Sequence, residues 1–573
     1  MEYAKWEIEP LTAEEEQLSK ELSESLAISD LSARILIRRG LNTPALARSF
    51  IRPRLEELHD PFLMKGMAEA VDRIDRAIAA KEHILIYGDY DVDGTTAVSL
   101  IYKFFHQLYE YLDFYIPNRN LEGYGISFRG IDYAHEHGCT LIIALDCGIK
   151  ATDKVEYARS KGIDFIICDH HMPGEELPKA VAVLDPHRED ETYPYHDLCG
   201  CGVGFKLVQA YAKKHEMAWY DLLPLLELTA MSIASDIVPV TGENRILAYF
   251  GLREMNKKPS VGLQSLMNMA GIHPGRVTIN DLVYKIGPRL NACGRIKSGT
   301  EAVRLLITED ADLAAQLSEA VNDYNKSRQN MDKTTFDEAL AQLETAPDNM
   351  QRHTSVVFAK HWHKGVVGIV ASRLTEHYYR PTIVLTGSEG GLITGSARSV
   401  GDFDIYSAID HCRHLLTNFG GHMFAAGLTM SEGNLPAFKQ EFESYVAAHI
   451  LPEQQQPVIN VEAEIRLSDI TPQFFRILQC LEPYGPGNPR PVFVTRNMIN
   501  YRYTKRVGKM GEHLKLDVTD QTAYITGIAF GKGDFATYFQ NGYAADVCYE
   551  LEENNFGGAT TIQMQVLDIK KKE

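Results

Sequence analysis

Three short apolar runs in the first third of the chain each end in aspartate: HILIYG before DYDVDG, TLIIAL before DCG, and FIIC before DHH. The runs are continuous rather than alternating, the pattern of strands buried on both faces of a parallel sheet. They set Asp89, Asp91, Asp93, Asp146, Asp169, His170 and His171 just past the carboxyl ends of those strands, where an open α/β sheet binds its ligands. Aspartate is also a common turn residue, and one instance would carry no more than that. Five carboxylates converging on one crevice carry more, because they repel one another and are costly to desolvate without partners. A divalent metal cluster resolves both problems. Oxygen-rich ligation with one or two imidazoles suits Mn²⁺ or Mg²⁺ better than Zn²⁺, which prefers thiolates or several histidines.

The rest of the chain is too long for one core: 573 residues predict about three or four domains. Residues 1–50 read as a helical lead-in, with Thr12 a helix N-cap before an acidic first turn. Residues 51–307 hold the apolar runs, alternating with helices in the rhythm of a parallel sheet, followed by a mainly helical stretch from 200. Residues 308–345 have Leu313, Leu317, Val321, Tyr324, Met331 and Leu340 near helical spacing, with a drift at Arg328; they predict one long helix or two abutting ones. A smaller α/β domain is expected over 346–452, then a Gln/Pro-rich hinge. Residues 457–573 show five short strand-like segments, the spacing of a small β-barrel of the OB type. The predicted fold class is therefore α/β, with two such domains joined by a long helix and a C-terminal OB-like barrel.

Composition bounds the setting. No apolar stretch approaches the ~18 residues of a membrane span, and MEYAKWEIEP lacks the basic and apolar regions of an export signal. The nine cysteines are scattered and mostly sit in apolar runs, as in a reduced, cytoplasmic protein. Cys199 and Cys201 in CGCGVG are the only close pair and have no second ligand pair beside them. A net charge of −19 argues against a uniformly nucleic-acid-coated surface, while leaving room for local basic channels. One such channel is legible near the C-terminus. Arg490, Arg496, Arg502, Lys505, Arg506, Lys509 and Lys515 are interleaved with Phe493, Tyr501 and Tyr503. A basic groove with stacking rings holds single strands without sequence preference, and Tyr501 and Tyr503 are the candidate base platforms. The alternative is a solvated hairpin with aromatic cross-strand pairs.

The ordered set GDYDVDG, PNR, DCG, DHH, SIASD, GPRLNACGR, SARS, GGH and AAG resembles the DHH phosphoesterase superfamily. The match is closest to its bacterial RecJ family of single-strand-specific 5′→3′ exonucleases, and it extends over nearly the whole chain. Many superfamily members carry a metal-binding histidine four residues before the position of Asp91. Here that residue is Tyr87, and Asp89 is the expected substitute.

The resemblance implies a metal-dependent exonuclease that degrades single-stranded DNA to 5′-mononucleotides in repair and recombination, with two Mn²⁺ or Mg²⁺ ions. It implies Asp89, Asp91, Asp93, Asp146, His170 and Asp236 as ligands, Asp93 and Asp146 bridging the ions. His171 would donate to a scissile phosphate oxygen, and Asp169 would orient its neighbours. By spacing alone Asp236, closing SIASD, would be a helix-end cap; the resemblance places it in the cluster. Substrate contacts are expected from Arg119, Arg289, Asn291, Arg295, Ser396 and Arg398, arginine's planar fork suiting phosphate. Gly420 and Gly421 would let main chain approach a phosphate that His422 binds or protonates, whereas His361 and His363 are expected to be structural. Single-strand-binding protein and a RecQ-type helicase are the partners the family implies, and the chain is expected to be a monomer. Two other readings stay open: a nano-RNase or nucleotide phosphatase, against which residues 457–573 argue, and a non-catalytic replication scaffold, against which the intact aspartates and His170 argue.

Overall fold

Residues 4–119, 121–346, 348–556 and 559–572 are described by a computed structural model. The three apolar runs are strands. β1 (His83–Gly88), β2 (Leu112–Tyr115), β3 (Cys139–Leu145), β4 (Asp164–Cys168) and β5 (Ala182–Leu184) form a wholly parallel sheet ordered β2-β1-β3-β4-β5. The chain leaves β1 to one side for β2 and returns on the other for β3, which opens a crevice beyond the carboxyl ends of β1 and β3. Alternate residues of β1 serve two cores. Ile84 and Ile86 pack with the helices α1 (Val92–His106) and α2 (Gly200–Lys214), while Leu85 and Tyr87 pack with Ile131, Ala134 and Val155 on the other face. Tyr87 is thereby withdrawn from the crevice. Its ring stacks on Tyr115 and its hydroxyl donates to the Gly125 carbonyl at 3.0 Å.

Residues 200–300 are helical as expected and include α3 (Leu226–Asp236) and α4 (Gly287–Ile296). The 34 residues of α5 (Ala311–Glu344) form one continuous helix rather than two. The chain divides into two compact units, residues 52–329 with 482–489, and residues 1–51 with 330–481 and 490–573. The short 482–489 segment is hydrogen-bonded within the first unit: Val240 N–H donates to Pro486 O at 2.7 Å, and Arg245 to Pro483 O at 3.3 Å.

In the second unit a mixed sheet is built from β6 (Ser355–Ala359), β7 (Thr382–Gly387), β8 (Leu392–Arg398), β9 (Leu416–His422) and β10 (Ala425–Ser431), in the order β9-β10-β8-β7-β6. Helix α6 (Val367–Tyr378) packs on it. The C-terminal strands β11 (Val492–Asn500), β12 (His513–Thr519), β13 (Tyr524–Ala529), β14 (Ala545–Phe556) and β15 (Ala559–Lys571) close into a ring, β11-β14-β15-β13-β12 and back to β11 through Ile499 opposite Thr519. Closure removes the free edges of an open sheet. The segment FVTRNMINYRYTK is not one strand. The strand ends at Asn500; Tyr501 N–H and Thr504 Oγ1 still bond to Asp517 of β12, and a second short strand, Lys505–Val507, pairs with β12 beyond them.

The N-terminal segment holds more than helices. Thr12 caps its helix in a reciprocal box with Glu15, but Lys5–Glu7 is a strand parallel to Val458–Asn460, and Trp6 Nε1–H donates to Asp568 at 3.1 Å. Eight of the nine cysteines are buried, and Cys480 is exposed. Among the described residues no helix is long and apolar enough to cross a membrane.

Candidate metal centre

Each strand end delivers its aspartate differently. Asp89 follows β1 directly and is buried, accepting from Gly125 N–H at 3.3 Å. Asp91 is the N-cap of α1, accepting from Gly94 N–H at 3.0 Å, and Asp93 enters the first turn of that helix. Asp146 closes β3 in a left-handed conformation, φ +58°. Asp236 is the last residue of α3. These groups meet at His170. Its Nε2 lies 3.2 Å from Asp146 Oδ1, 3.5 Å from Asp93 Oδ2 and 3.6 Å from Asp236 Oδ2, yet this buried nitrogen has no hydrogen-bond partner. Asp89 Oδ2 is likewise buried and unpaired. Asp93, His170 and Asp236 bring donor atoms within 4.8 Å of one another, as do Asp146, His170 and His171. Orphaned donors of this kind, on hard oxygens and imidazole, fit a divalent cation.

The electrostatics follow from crowding. Burial, then Asp91, pushes the Asp89 carboxyl up to about 7. Burial, then Asp93 and Asp91, pushes Asp236 up to about 8, and burial beside Asp93, Asp91 and Asp236 raises Asp146 well above the usual carboxylate range. Asp169 behaves oppositely. Burial works against its charge, but donors from His171 and the Ile149 amide outweigh it and hold the carboxyl below its ordinary value. Its Oδ1 also accepts from the amides of His170 and His171, so that oxygen is spent on the two histidines while Oδ2 holds the Ile149 amide. Burial pulls the His171 imidazole down, and the Asp169 carboxylate at 2.7 Å more than restores it, to about 9.

Three groups at this site escaped the sequence reading. The Tyr124 hydroxyl lies 3.0 Å from His171 Nε2; nothing in its local pattern marks it. Ser232, one helical turn before Asp236, donates to Asp93 at 2.6 Å. Asp185 follows β5 and is buried, its carboxyl pushed up to about 8 by burial and by Asp169. AVAVLD is a fourth apolar run ending in aspartate, so the signal that found the others was present.

Three domain families match the chain: the DHH family N-terminal domain over residues 83–233, the DHHA1 domain over 352–448 and the RecJ OB domain over 461–568. The single-stranded-DNA-specific exonuclease RecJ of Bacillus subtilis is 35% identical over 572 residues, covering 99% of this chain and 71% of the relative. The protein of the same name from Escherichia coli is 30% identical, covering 88% of this chain and 90% of the relative. The chain belongs to the RecJ family. Among solved structures, RecJ of Thermus thermophilus in complex with Mn²⁺ superposes with a TM-score of 0.84 at 27% identity, covering 99% of this chain and 80% of that one; its complex with Mg²⁺ gives 0.78 at 26%, covering 99% and 79%.

Within this RecJ-family chain the expected substrate residues fall into separate groups. Near the metal centre, the Arg119 guanidinium lies over the Tyr90 ring at 5.2 Å. Burial, with Arg119 and Arg328 nearby, lowers the Arg295 guanidinium to about 10, so these three arginines concentrate positive charge together. Arg289, on α4 with Asn291, is tied to Asn322 and to the Lys285 carbonyl. In the other unit, Arg398 donates to Ser396 Oγ at 2.7 Å on β8. Gly368, in the first turn of α6, faces them so closely that a Cβ would lie 3.1 Å from Arg398 and 3.3 Å from Ser396. A helix N-terminus thus joins the arginine and the serine, a combination that favours an anion. His422 ends β9, exposed, and accepts from the Phe424 amide. Gly421 has φ +150° and would press a Cβ to 2.3 Å from Ala425 O; the hairpin itself requires that glycine, while Gly420 faces open space. His361 pairs with Glu338, and His363 accepts from the Gly365 amide. On the barrel, the Tyr501 ring stacks on Tyr524 at 5.0 Å and carries the Arg502 guanidinium at 4.7 Å. Tyr503 and Tyr524 are the more exposed rings.

Proposed function

We propose that this RecJ-family chain is a metal-dependent exonuclease that hydrolyses single-stranded DNA from the 5′ end to 5′-mononucleotides. The observation that carries the reading is His170 Nε2, buried and unpaired among three carboxylates. Asp93, Asp146, His170 and Asp236 would hold one ion, and Asp89 and Asp91, with Asp146 shared, the other; Mn²⁺ and Mg²⁺ both suit the donor set. When bound, two such ions supply an ionised water near neutral pH and neutralise charge at phosphorus and at the leaving oxygen.

The chain's own residues do the rest. His171, oriented through its Nδ1 by Asp169 at 2.7 Å, presents its imidazole beside the cluster as a donor for a phosphate oxygen. Arg119, Arg295 and Arg328 attract the backbone at the approach to the cluster. Ser396, Arg398 and the α6 N-terminus form a phosphate cradle in the DHHA1 domain, and Tyr503 and Tyr524 offer stacking faces on the barrel. We assign the DHH domain to 51–307, the connecting helix to 308–345, the DHHA1 domain to 346–452 and the OB domain to 457–573, after a lead-in of 1–50. A monomer acting with single-strand-binding protein and a RecQ-type helicase is the setting we propose, on family resemblance alone.

The test is degradation of 5′-labelled long single strands, duplexes and short oligomers, with and without Mn²⁺. Mononucleotide release from single strands that stops on chelation is expected. Activity that survives chelation, or that is confined to dinucleotides, would overturn the reading.

A further inference from the structure

Asp93 is held by donors from two distant helices. Its Oδ1 accepts from Cys201 N–H at 2.7 Å and from Ser232 Oγ at 2.6 Å, and its Oδ2 accepts from Gly200 N–H at 2.6 Å. A carboxylate has about four acceptor positions, two per oxygen. Both positions on Oδ1 are filled. Oδ2 keeps one, and that oxygen is the one 3.5 Å from His170 Nε2.

The Ser232 hydroxyl has a single hydrogen and two acceptors in reach, Asp93 Oδ1 at 2.6 Å and Cys199 Sγ at 2.9 Å. A carboxylate is the stronger acceptor and the shorter contact, so the hydrogen goes to Asp93. Cys199 S–H is then free to donate to Ser232 Oγ, while its sulfur receives Gly202 N–H at 3.3 Å. The bonds run in one direction, from the start of α2 through Cys199 and Ser232 into Asp93. These side chains and the residues that supply the amides are buried, so no water competes for them.

We propose that Ser232 is a positioning residue. With the Cys201 amide it saturates Asp93 Oδ1; the Gly200 amide takes one position on Oδ2, so Asp93 is restricted to one oxygen directed at the ion position shared with His170 and Asp236, and Ser232 thereby sets the affinity of that position alone. This rests on the reading of the cluster as a two-ion site, and it departs from the expectation that Asp93 bridges: one free acceptor position serves one ion. Asp146 is left as the shared carboxylate.

The experiment is a Mn²⁺ titration of the full-length protein, free ion being read by electron paramagnetic resonance, with thermal unfolding of the metal-free protein alongside. Ser232→Ala should weaken one of two Mn²⁺ positions by roughly 10–100-fold, the usual scale for losing a partner of a ligand, and leave the other unchanged. Ser232→Thr keeps the hydroxyl and should restore the affinity. Cys199→Ala leaves the Ser232–Asp93 bond in place and should stay close to wild type. Two unaltered positions in Ser232→Ala would overturn the inference, as would equal weakening of both, or a loss in Cys199→Ala matching that in Ser232→Ala. A wild-type protein that binds no Mn²⁺ would instead overturn the two-ion reading beneath it.

Discussion

Asp146 holds φ +58°, a left-handed backbone that costs a non-glycine residue about 1–2 kcal/mol. Ile237, immediately after Asp236, has φ +62°, where a β-branched side chain is rarer still. Strain thus flanks two of the carboxylates that face His170, and the surrounding packing maintains it. Gly200 is part of that packing: a Cβ there would lie 2.6 Å from Asp146 Cβ. Asp146→Ala should abolish turnover on single strands, far beyond the roughly 10–100-fold of a change outside the ligands, while melting of the metal-free protein stays near wild type because the lost carboxyl is buried and crowded by Asp93, Asp91 and Asp236. Near-normal turnover at saturating Mn²⁺ would remove Asp146 from the cluster. Gly200→Ala should fail differently, losing roughly 1–3 kcal/mol of stability to overpacking together with Mn²⁺ affinity. Unchanged melting and affinity would mean that α2 yields without moving the carboxylate.

At the scale of elements, the barrel assigns its aromatic rings unequal work. Tyr501 is engaged by Tyr524 and Arg502, whereas Tyr503 and the outer face of Tyr524 remain open. Tyr503→Ala and Tyr524→Ala should each weaken binding of long single strands by roughly 1–3 kcal/mol, with little change in salt dependence, because stacking releases no counterions. Anisotropy titrations across a salt series would measure both quantities, and full affinity in both variants would make the rings a solvated surface. Truncation at residue 457 is a poorer test. It would remove 482–489, whose Pro486 carbonyl is bonded to Val240 in the unit that carries the metal centre.

For the whole molecule, the crowded carboxylates link stability to pH. An unfolded aspartate titrates near about 3.9, whereas Asp89 and Asp236 do so at about 7 and about 8 in the fold. Between those limits the native state binds protons that the unfolded chain releases, so these two groups favour folding at low pH and that contribution is lost as pH rises toward 8. An ion needs the carboxylates ionised, so its stabilisation runs the other way. The rise in melting temperature on adding Mn²⁺ should widen from about pH 6 to about pH 8, and a constant gap would show that ion binding displaces no protons. Local patterns carried much of this protein. The apolar runs and their terminal aspartates foretold β1, β3 and β4, and turn and capping chemistry foretold Thr12, because strand period and helix caps are satisfied by neighbours a few residues away. Tertiary structure alone decided the donors to Asp93, 107 and 139 residues distant, the strand Lys5–Glu7 paired with Val458–Asn460, and the closure of β11 on β12. A buried carboxylate or an open strand edge can be satisfied by any amide or hydroxyl that the fold brings near. No local signal says which one it will be.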